Sequence, residues 1–416
     1  MTGSTVPQGP DPSARVLIIS MIFAPCREVG GKRFSYLSQY LSREFAEYHV
    51  LARKERETFN DPTAFRGNVH RARMFPYYPP KRSRGILHKL SRFWVKWLCQ
   101  VDPYIGWVIP AIFSGIRLCR QYRLNVVIVT VPSFSSIIAA LAVSKVARCK
   151  LIIDYRDEWT NHKIEFRRPF GKYICPALER TAIKRASAVV VCTEIMRTDF
   201  VSAFGEFKST HVELIYNGYD AINDEPPAAP KNPYTTMMYA GTLYGKRQIT
   251  LIAPALLELL HSGEISADSF RLHVYSRLRP EQIAEIERSG IRHIVEVHEP
   301  VSYATIRRVM RESDILFLPS GDEFNYAIPF KFYDYLSARR PILAVASKAS
   351  AVREVMTRVH CGEFAEIGHA DEIVLAIKSL LRNERKFSFQ GAERFEWPNA
   401  ANQYVALINK IMFEVH

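Results

Sequence analysis

Ile328-Pro329-Phe330-Lys331-Phe332-Tyr333-Asp334-Tyr335-Leu336, followed by Arg340-Pro341-Ile342-Leu343-Ala344, is the stretch on which the fold of this chain turns. The apolar run 315–318 reads as a buried strand just before it, and the run after Pro341 reads as another. Pro329 at the first helical position makes the segment between them a helix, with Asp334 two turns in. Backbone N–H groups at such a helix start lack intrahelical partners and attract a diphosphate. An acidic side chain further along can accept hydrogen bonds from two neighbouring ribose hydroxyls. The plain alternative is an amphipathic core helix with an Asp on its surface, and the rest of the chain favours the first reading.

Strand and helix signals alternate along the sequence. Residues 15–20 read as a strand, Gly30-Gly31 as a turn, and residues 32–45 as a helix with Phe34, Leu37, Leu41 and Phe45 on one face. Strands follow at 126–130, 151–153, 188–191 and 213–215, with helical segments between them as parallel crossovers require. Residues 223–233 (NDEPPAAPKNP) carry four prolines and break the pattern. The alternation then restarts, with strands at 237–240, 271–275 and 294–297 and helices at 249–261, 280–289 and 303–311. At 416 residues the chain exceeds one compact core and fits two domains of about 200 residues each. The expected architecture is α/β, two Rossmann-like parallel-sheet domains facing a cleft. Their expected limits are residues 1–222 and 234–392, joined by a linker at 223–233. Residues 393–416 supply a final helix that packs back on the first domain.

Net charge is +14, and the excess is concentrated. Residues 62–101 hold no Asp or Glu but nine Lys and Arg, and Ile86, Leu90, Phe93, Trp94, Trp97 and Leu98 follow helical spacing among them. Residues 81–100 therefore read either as a basic amphipathic helix on an anionic membrane surface or as an internal helix with a solvated basic face. No zinc-finger, RNA-recognition or basic-zipper pattern accompanies the charge, so nucleic acid is not an expected partner. Seven scattered cysteines without a Cys-x-x-Cys pair fit reduced thiols in a cytoplasmic protein. The twelve histidines form no H-x-x-x-H or Cys/His cluster, and the spacing gives no metal site. The apolar run 16–24 is short and reads as a first strand, while Pro132 with Ser133, Ser135 and Ser136 divides the run 126–143. No membrane-spanning helix is expected.

Three further motifs carry chemistry. Gly30-Gly31 stands between the first strand and the first helix, where a ligand can approach the backbone, although the full dinucleotide-binding glycine pattern is lacking. Asp154-Tyr155-Arg156-Asp157-Glu158-Trp159 follows an apolar strand, so its charges cluster at the carboxyl edge of the sheet; an Arg156–Asp157 ion pair is the structural alternative. Gly241-Thr242-Leu243-Tyr244-Gly245-Lys246-Arg247 opens the second domain in the corresponding place, with two cations able to neutralise a diphosphate.

Taken in order and spacing, these pieces resemble the family 4 glycosyltransferases of the GT-B fold, particularly bacterial enzymes that build cell-surface polysaccharides. Asp102-Pro103 to Trp107, Pro132-Ser133 and Tyr216-Asn217-Gly218-Tyr219-Asp220 belong to the same resemblance. It implies a nucleotide-sugar donor in the second domain, a glycan or lipid-linked acceptor on the first, retention at the anomeric carbon, and no metal or other cofactor. It sets Gly30, Gly31, Gly241, Thr242, Lys246, Arg247, Tyr326, Pro329, Lys331 and Asp334 at the donor and gives Arg156 and Asp157 the catalytic position. The sequence departs from the family where Tyr326 replaces the first of two glutamates, Asp334 shortens the second, and Thr242 replaces a basic residue. The implied place of action is the cytoplasmic face of the inner membrane, with the protein peripheral to it. Tyr326 motivates an alternative, a catalytically weak protein that binds nucleotide sugars or glycans; a sugar-nucleotide epimerase on the same scaffold is another.

Overall fold

The computed structural model describes residues 14–26, 29–54, 65, 67–75, 100–160, 170–205, 211–221, 232–245, 247–382 and 385–413. The chain divides into two compact units, Met1–Tyr216 with Trp397–His416, and Asn217–Glu396.

The first unit is built on seven parallel strands: β1 (Arg15–Ile19), β2 (Glu47–Arg53), β3 (Asn68–Ala72), β4 (Val126–Val131), β5 (Lys150–Tyr155), β6 (Ala188–Val191) and β7 (His211–Leu214). Their spatial order is β3-β2-β1-β4-β5-β6-β7. Helices α1 (Lys32–Glu44), α2 (Val108–Tyr122), α3 (Ser136–Ala147), α4 (Gly171–Arg185) and α5 (Glu194–Phe204) form the crossovers. A central parallel strand covered on both faces needs an unbroken apolar run, and β4 (VVIVTV) is buried at every position. Gly115 lets α2 and α3 pack closely, since a methyl there would lie 2.7 Å from Val143 Cγ2. The strand order reverses between β1 and β4, so the loops after those two strands lead away from each other and leave a crevice at the carboxyl edge.

The second unit repeats the plan with six parallel strands: β8 (Thr235–Ala240), β9 (Phe270–Tyr275), β10 (Val295–His298), β11 (Ile315–Pro319), β12 (Ile342–Ala346) and β13 (Gly362–Glu366). Their order, β10-β9-β8-β11-β12-β13, reverses between β8 and β11. Helices α6 (Ala253–His261), α7 (Pro280–Arg288), α8 (Tyr303–Glu312), α9 (Phe330–Ala338), α10 (Ala351–Val359) and α11 (Ala370–Leu381) connect them. Leu256, Phe270, Phe317, Leu343 and Ile377 are among the side chains closing the core. The last helix, α12 (Trp397–Phe413), belongs to the first unit, where Trp397 stacks on Tyr36 of α1 at 5.6 Å and Tyr404 meets Phe34 edge-on.

Two details differ from the sequence reading. Pro329 is not the first helical residue but the extended one before it, and Asp334, fifth in α9, opens the second turn rather than lying two turns in. Strands β3 and β13 carry no apolar run to announce them, because both are half-exposed at sheet edges. The expected linker lies outside the described residues up to position 231, as do residues 81–99 of the basic segment and Lys246. Among the described residues no helix is long and apolar enough to cross a membrane.

Candidate functional site

In the second unit, the carboxyl edge at the β8/β11 reversal is fixed by tyrosines. Tyr335 of α9 donates its hydroxyl to the Phe317 carbonyl at 3.1 Å and accepts the Ala240 N–H at 3.4 Å, so one ring holds α9 against the ends of β11 and β8 together. Lys331, in the first turn of α9, donates Nζ to the Tyr239 hydroxyl at 2.6 Å, and Tyr239 donates to the Thr242 carbonyl at 3.1 Å. The Gly241-Thr242 turn is thereby tied to the helix start. Gly241 has φ +121°, and a methyl on it would sit 2.6 Å from Lys331 Nζ; no larger residue fits the backbone or the space. Burial raises the Tyr239 pKa, and the nearby Arg247 charge opposes that shift.

Arg247 lies with its guanidinium over the Tyr244 ring, 4.7 Å from the centroid, and donates Nη1 to the Tyr244 hydroxyl. Asp334 is half-buried and accepts the Tyr303 hydroxyl on Oδ1 at 2.7 Å. Tyr326 is buried, 5% exposed, between the short turn Asp322–Phe324 and α9. Gly245, at φ +58°, has the Glu323 carboxylate against it, where a methyl would collide. The structure thus brings Gly241, Thr242, Pro329 and Lys331 to one edge. The sequence reading missed Tyr239, Tyr303, Tyr335 and Glu323, because their contacts are made across the sheet or across helices and leave no local pattern.

In the first unit, the β1/β4 reversal gathers Gly30, Gly31 and Arg156. Arg156 Nε donates to the Val131 carbonyl at 3.2 Å and Nη2 to the Pro132 carbonyl, which holds the guanidinium at the end of β4. A methyl on Gly30 would lie 3.4 Å from Arg156 Nη1, and one on Gly31 3.3 Å from the Ile22 carbonyl, so both glycines serve close approach rather than a positive φ. Burial pulls the Arg156 pKa below the usual arginine range, opposed by Asp154 and then Asp157. Asp102 accepts the Tyr104 and Ser135 N–H groups, each at 2.8 Å, and joins the start of α2 to the start of α3.

Beneath this edge lies a fully buried ion pair that the sequence reading did not find. Arg33 Nε donates to Asp154 Oδ1 at 3.0 Å, its Nη1 to the Tyr216 carbonyl at 2.9 Å, and its Nη2 to the Ile215 carbonyl at 2.8 Å. Tyr404 donates to Asp154 Oδ1 at 2.6 Å and accepts from Arg33 Nη2 at 3.1 Å, while Thr130 donates to Asp154 Oδ2 at 2.6 Å. Both charges are wholly shielded from solvent, so the hydrogen bonds replace the water that burial removed.

Two α/β units, each with an anion-compatible edge at its strand reversal, define a two-domain Rossmann-like protein of GT-B fold. Residues 31–222 match the family model described as Glycosyltransferase Family 4, and residues 234–383 match Glycosyl transferases group 1. The chain belongs to these glycosyltransferase families and is a glycosyltransferase. Solved structures share the fold at low identity. Sucrose-phosphate synthase from Thermosynechococcus elongatus aligns with a TM-score of 0.64 and 10% identity, over 96% of this chain and 99% of that one. The lipopolysaccharide outer core galactosyltransferase WaaB aligns with a TM-score of 0.63 and 13% identity over 95% and 99%. Anabaena HepE in complex with UDP-glucose aligns with a TM-score of 0.62 and 15% identity over the same shares. No curated protein sequence matches the chain.

Proposed function

We propose that the second unit takes the diphosphate of a nucleotide sugar at the β8/β11 reversal and that the sugar passes, with retention and without a metal, to a glycan or lipid-linked acceptor held by the first unit. The observation that carries this reading is the position of Lys331, a cation in the first turn of α9, 2.6 Å from where a Gly241 side chain would begin. A glycine at φ +121° beside a helix start and an ammonium is an arrangement suited to a close anion. As the bond from anomeric carbon to diphosphate oxygen breaks, negative charge collects on the leaving group; Lys331, Arg247 and the N-terminal dipole of α9 oppose it. Asp334, steadied by Tyr303, takes the ribose diol, and Arg156 with Asp157 acts near the reacting sugar. Lys246 is assigned with Arg247 on the family resemblance. HepE was solved with UDP-glucose, which supports a nucleotide-sugar donor here.

Titrating the protein with a panel of nucleoside diphosphates tests the reading. At least one binds, and Lys331→Met weakens it by roughly 10-fold or more, the size of one charge-assisted hydrogen bond. No binding across the panel, or unchanged affinity in a folded Lys331→Met variant, overturns it.

We further propose that the first unit docks on an anionic membrane at the cytoplasmic face. Residues 81–100 supply the charge, and among the described residues Phe75, Ile109 and Phe113 are exposed apolar side chains on the same unit.

A further inference from the structure

Three side chains on the edge strand β10 of the second sheet and on its neighbour β9 converge on a point suited to a metal ion. Along β9, Phe270, Leu272 and Val274 enter the core, which leaves Arg271, His273 and Tyr275 on the opposite face. The parallel register sets Glu296 of β10 against His273 and His298 against Tyr275. Alternation then places Glu296 and His298 on one face of β10. His273 Nδ1 lies 2.9 Å from His298 Nε2 and 3.5 Å from Glu296 Oε2, and His298 Nε2 lies 3.9 Å from the same oxygen. From those three distances, the point equidistant from all three atoms is about 2.0 Å from each, the bond length of zinc to imidazole nitrogen or carboxylate oxygen.

We propose that His273, Glu296 and His298 bind a divalent transition ion, Zn²⁺ by ligand type, with water as the fourth ligand. Two imidazoles and one carboxylate suit a borderline cation and not Mg²⁺ or Ca²⁺, which take oxygen. Without the ion the two ring nitrogens share one proton; moving it to the far side of its ring and turning both rings frees the two lone pairs. Surrounding groups hold the ligands. Arg271 Nε takes the other Glu296 oxygen at 3.3 Å and leaves Oε2 for the ion, and Tyr275 stacks on His298 at 4.5 Å.

Two other clusters show what is particular here. In the first unit His49 Nδ1 meets His70 Nε2 at 3.0 Å, but Glu47 bonds the opposite nitrogen of His49, so the three ligand atoms do not converge. Glu366, His369 and Glu372 do converge, and the Lys348 ammonium already lies 2.6 Å and 2.8 Å from the two carboxylates. The 25-residue gap between His273 and His298 hid the site from any reading of local spacing. An ion here would tie the edge strand β10 to β9, two strands from the β8/β11 reversal, and needs no part in sugar transfer.

The test uses the untagged full chain, dialysed against chelator and titrated with Zn²⁺ while metal content is counted per chain. One ion binds per chain; affinity falls at least 10-fold in Glu296→Gln and in His298→Gln and is unchanged in His70→Gln. Circular dichroism confirms that each variant is folded. Stoichiometry well below one, or undiminished affinity in folded Glu296→Gln and His298→Gln proteins, overturns the proposal.

Discussion

Tyr404→Phe probes the buried ion pair of the first unit with the least change in shape. The hydroxyl makes two hydrogen bonds to charged groups, one donated to Asp154 and one accepted from Arg33. Hydrogen bonds to charged partners contribute about 1.5–3 kcal/mol each. Asp154 Oδ1 keeps the Arg33 Nε donor and Arg33 Nη2 keeps the Ile215 carbonyl, so neither charge is abandoned and a loss of about 3 kcal/mol is expected. Asp154→Ala is harsher, because it strands the fully buried Arg33 guanidinium; breaking such a pair costs about 3–5 kcal/mol. Replacing both charges at once, Arg33→Met with Asp154→Leu, removes the stranded cation and loses less than Asp154→Ala alone. The five tryptophans, at positions 94, 97, 107, 159 and 397, all belong to the first unit. Urea unfolding followed by tryptophan fluorescence therefore reads that unit without interference from the other. A Tyr404→Phe loss under about 0.5 kcal/mol, or an apolar double variant as unstable as Asp154→Ala, refutes the reasoning.

Two further outcomes are expected. Burial, followed by the Asp199 and Glu179 charges, pushes the Glu158 carboxyl up to about 7 from an ordinary 4.5. Between those values the folded state binds more protons than the unfolded, so this contribution to stability is present below the lower value and lost as pH rises through the upper. The tryptophan-reported urea midpoint should therefore fall from pH 5 to pH 8, with a smaller fall in Glu158→Gln; equal slopes in the two proteins would remove Glu158 as the cause. Vesicles rich in phosphatidylglycerol should sediment the protein at low salt and release it at high salt, with Phe113→Ser weakening the attachment. Equal sedimentation with neutral vesicles would exclude an anionic surface as the docking partner.

The alternation of apolar runs was enough to place most strands, since parallel sheets covered on both faces demand runs such as those of β4 and β11. Half-exposed edge strands without an apolar run escape that demand, which is why β3 and β13 were invisible while the edge strands β7 and β10 were not. Residues tied to backbone geometry were also legible: Gly241 marks a conformation that side chains avoid, and Pro329 marks a helix start to within one residue. What the sequence could not disclose is which polar side chains meet. Arg33 reads as an ordinary basic residue at the start of an amphipathic helix, and only the fold puts it with Asp154 and Tyr404, 121 and 371 residues away. Tyr303 and Asp334 are likewise joined across two helices, as His273 and His298 are across two strands.

Arg33 grips the chain at Ile215 and Tyr216, where it leaves the first unit, and Tyr404 joins the same cluster after the chain has returned. During synthesis, then, the opening half of the protein emerges with a charged pair that still lacks its Tyr404 hydroxyl and an α1 surface still awaiting Trp397 and Tyr404. The contiguous second unit can mature while the first waits for its closing helix. A truncation just short of residue 397 would therefore damage the unit that begins the chain, and an isolated fragment ending near residue 216 would be a poor substitute for it.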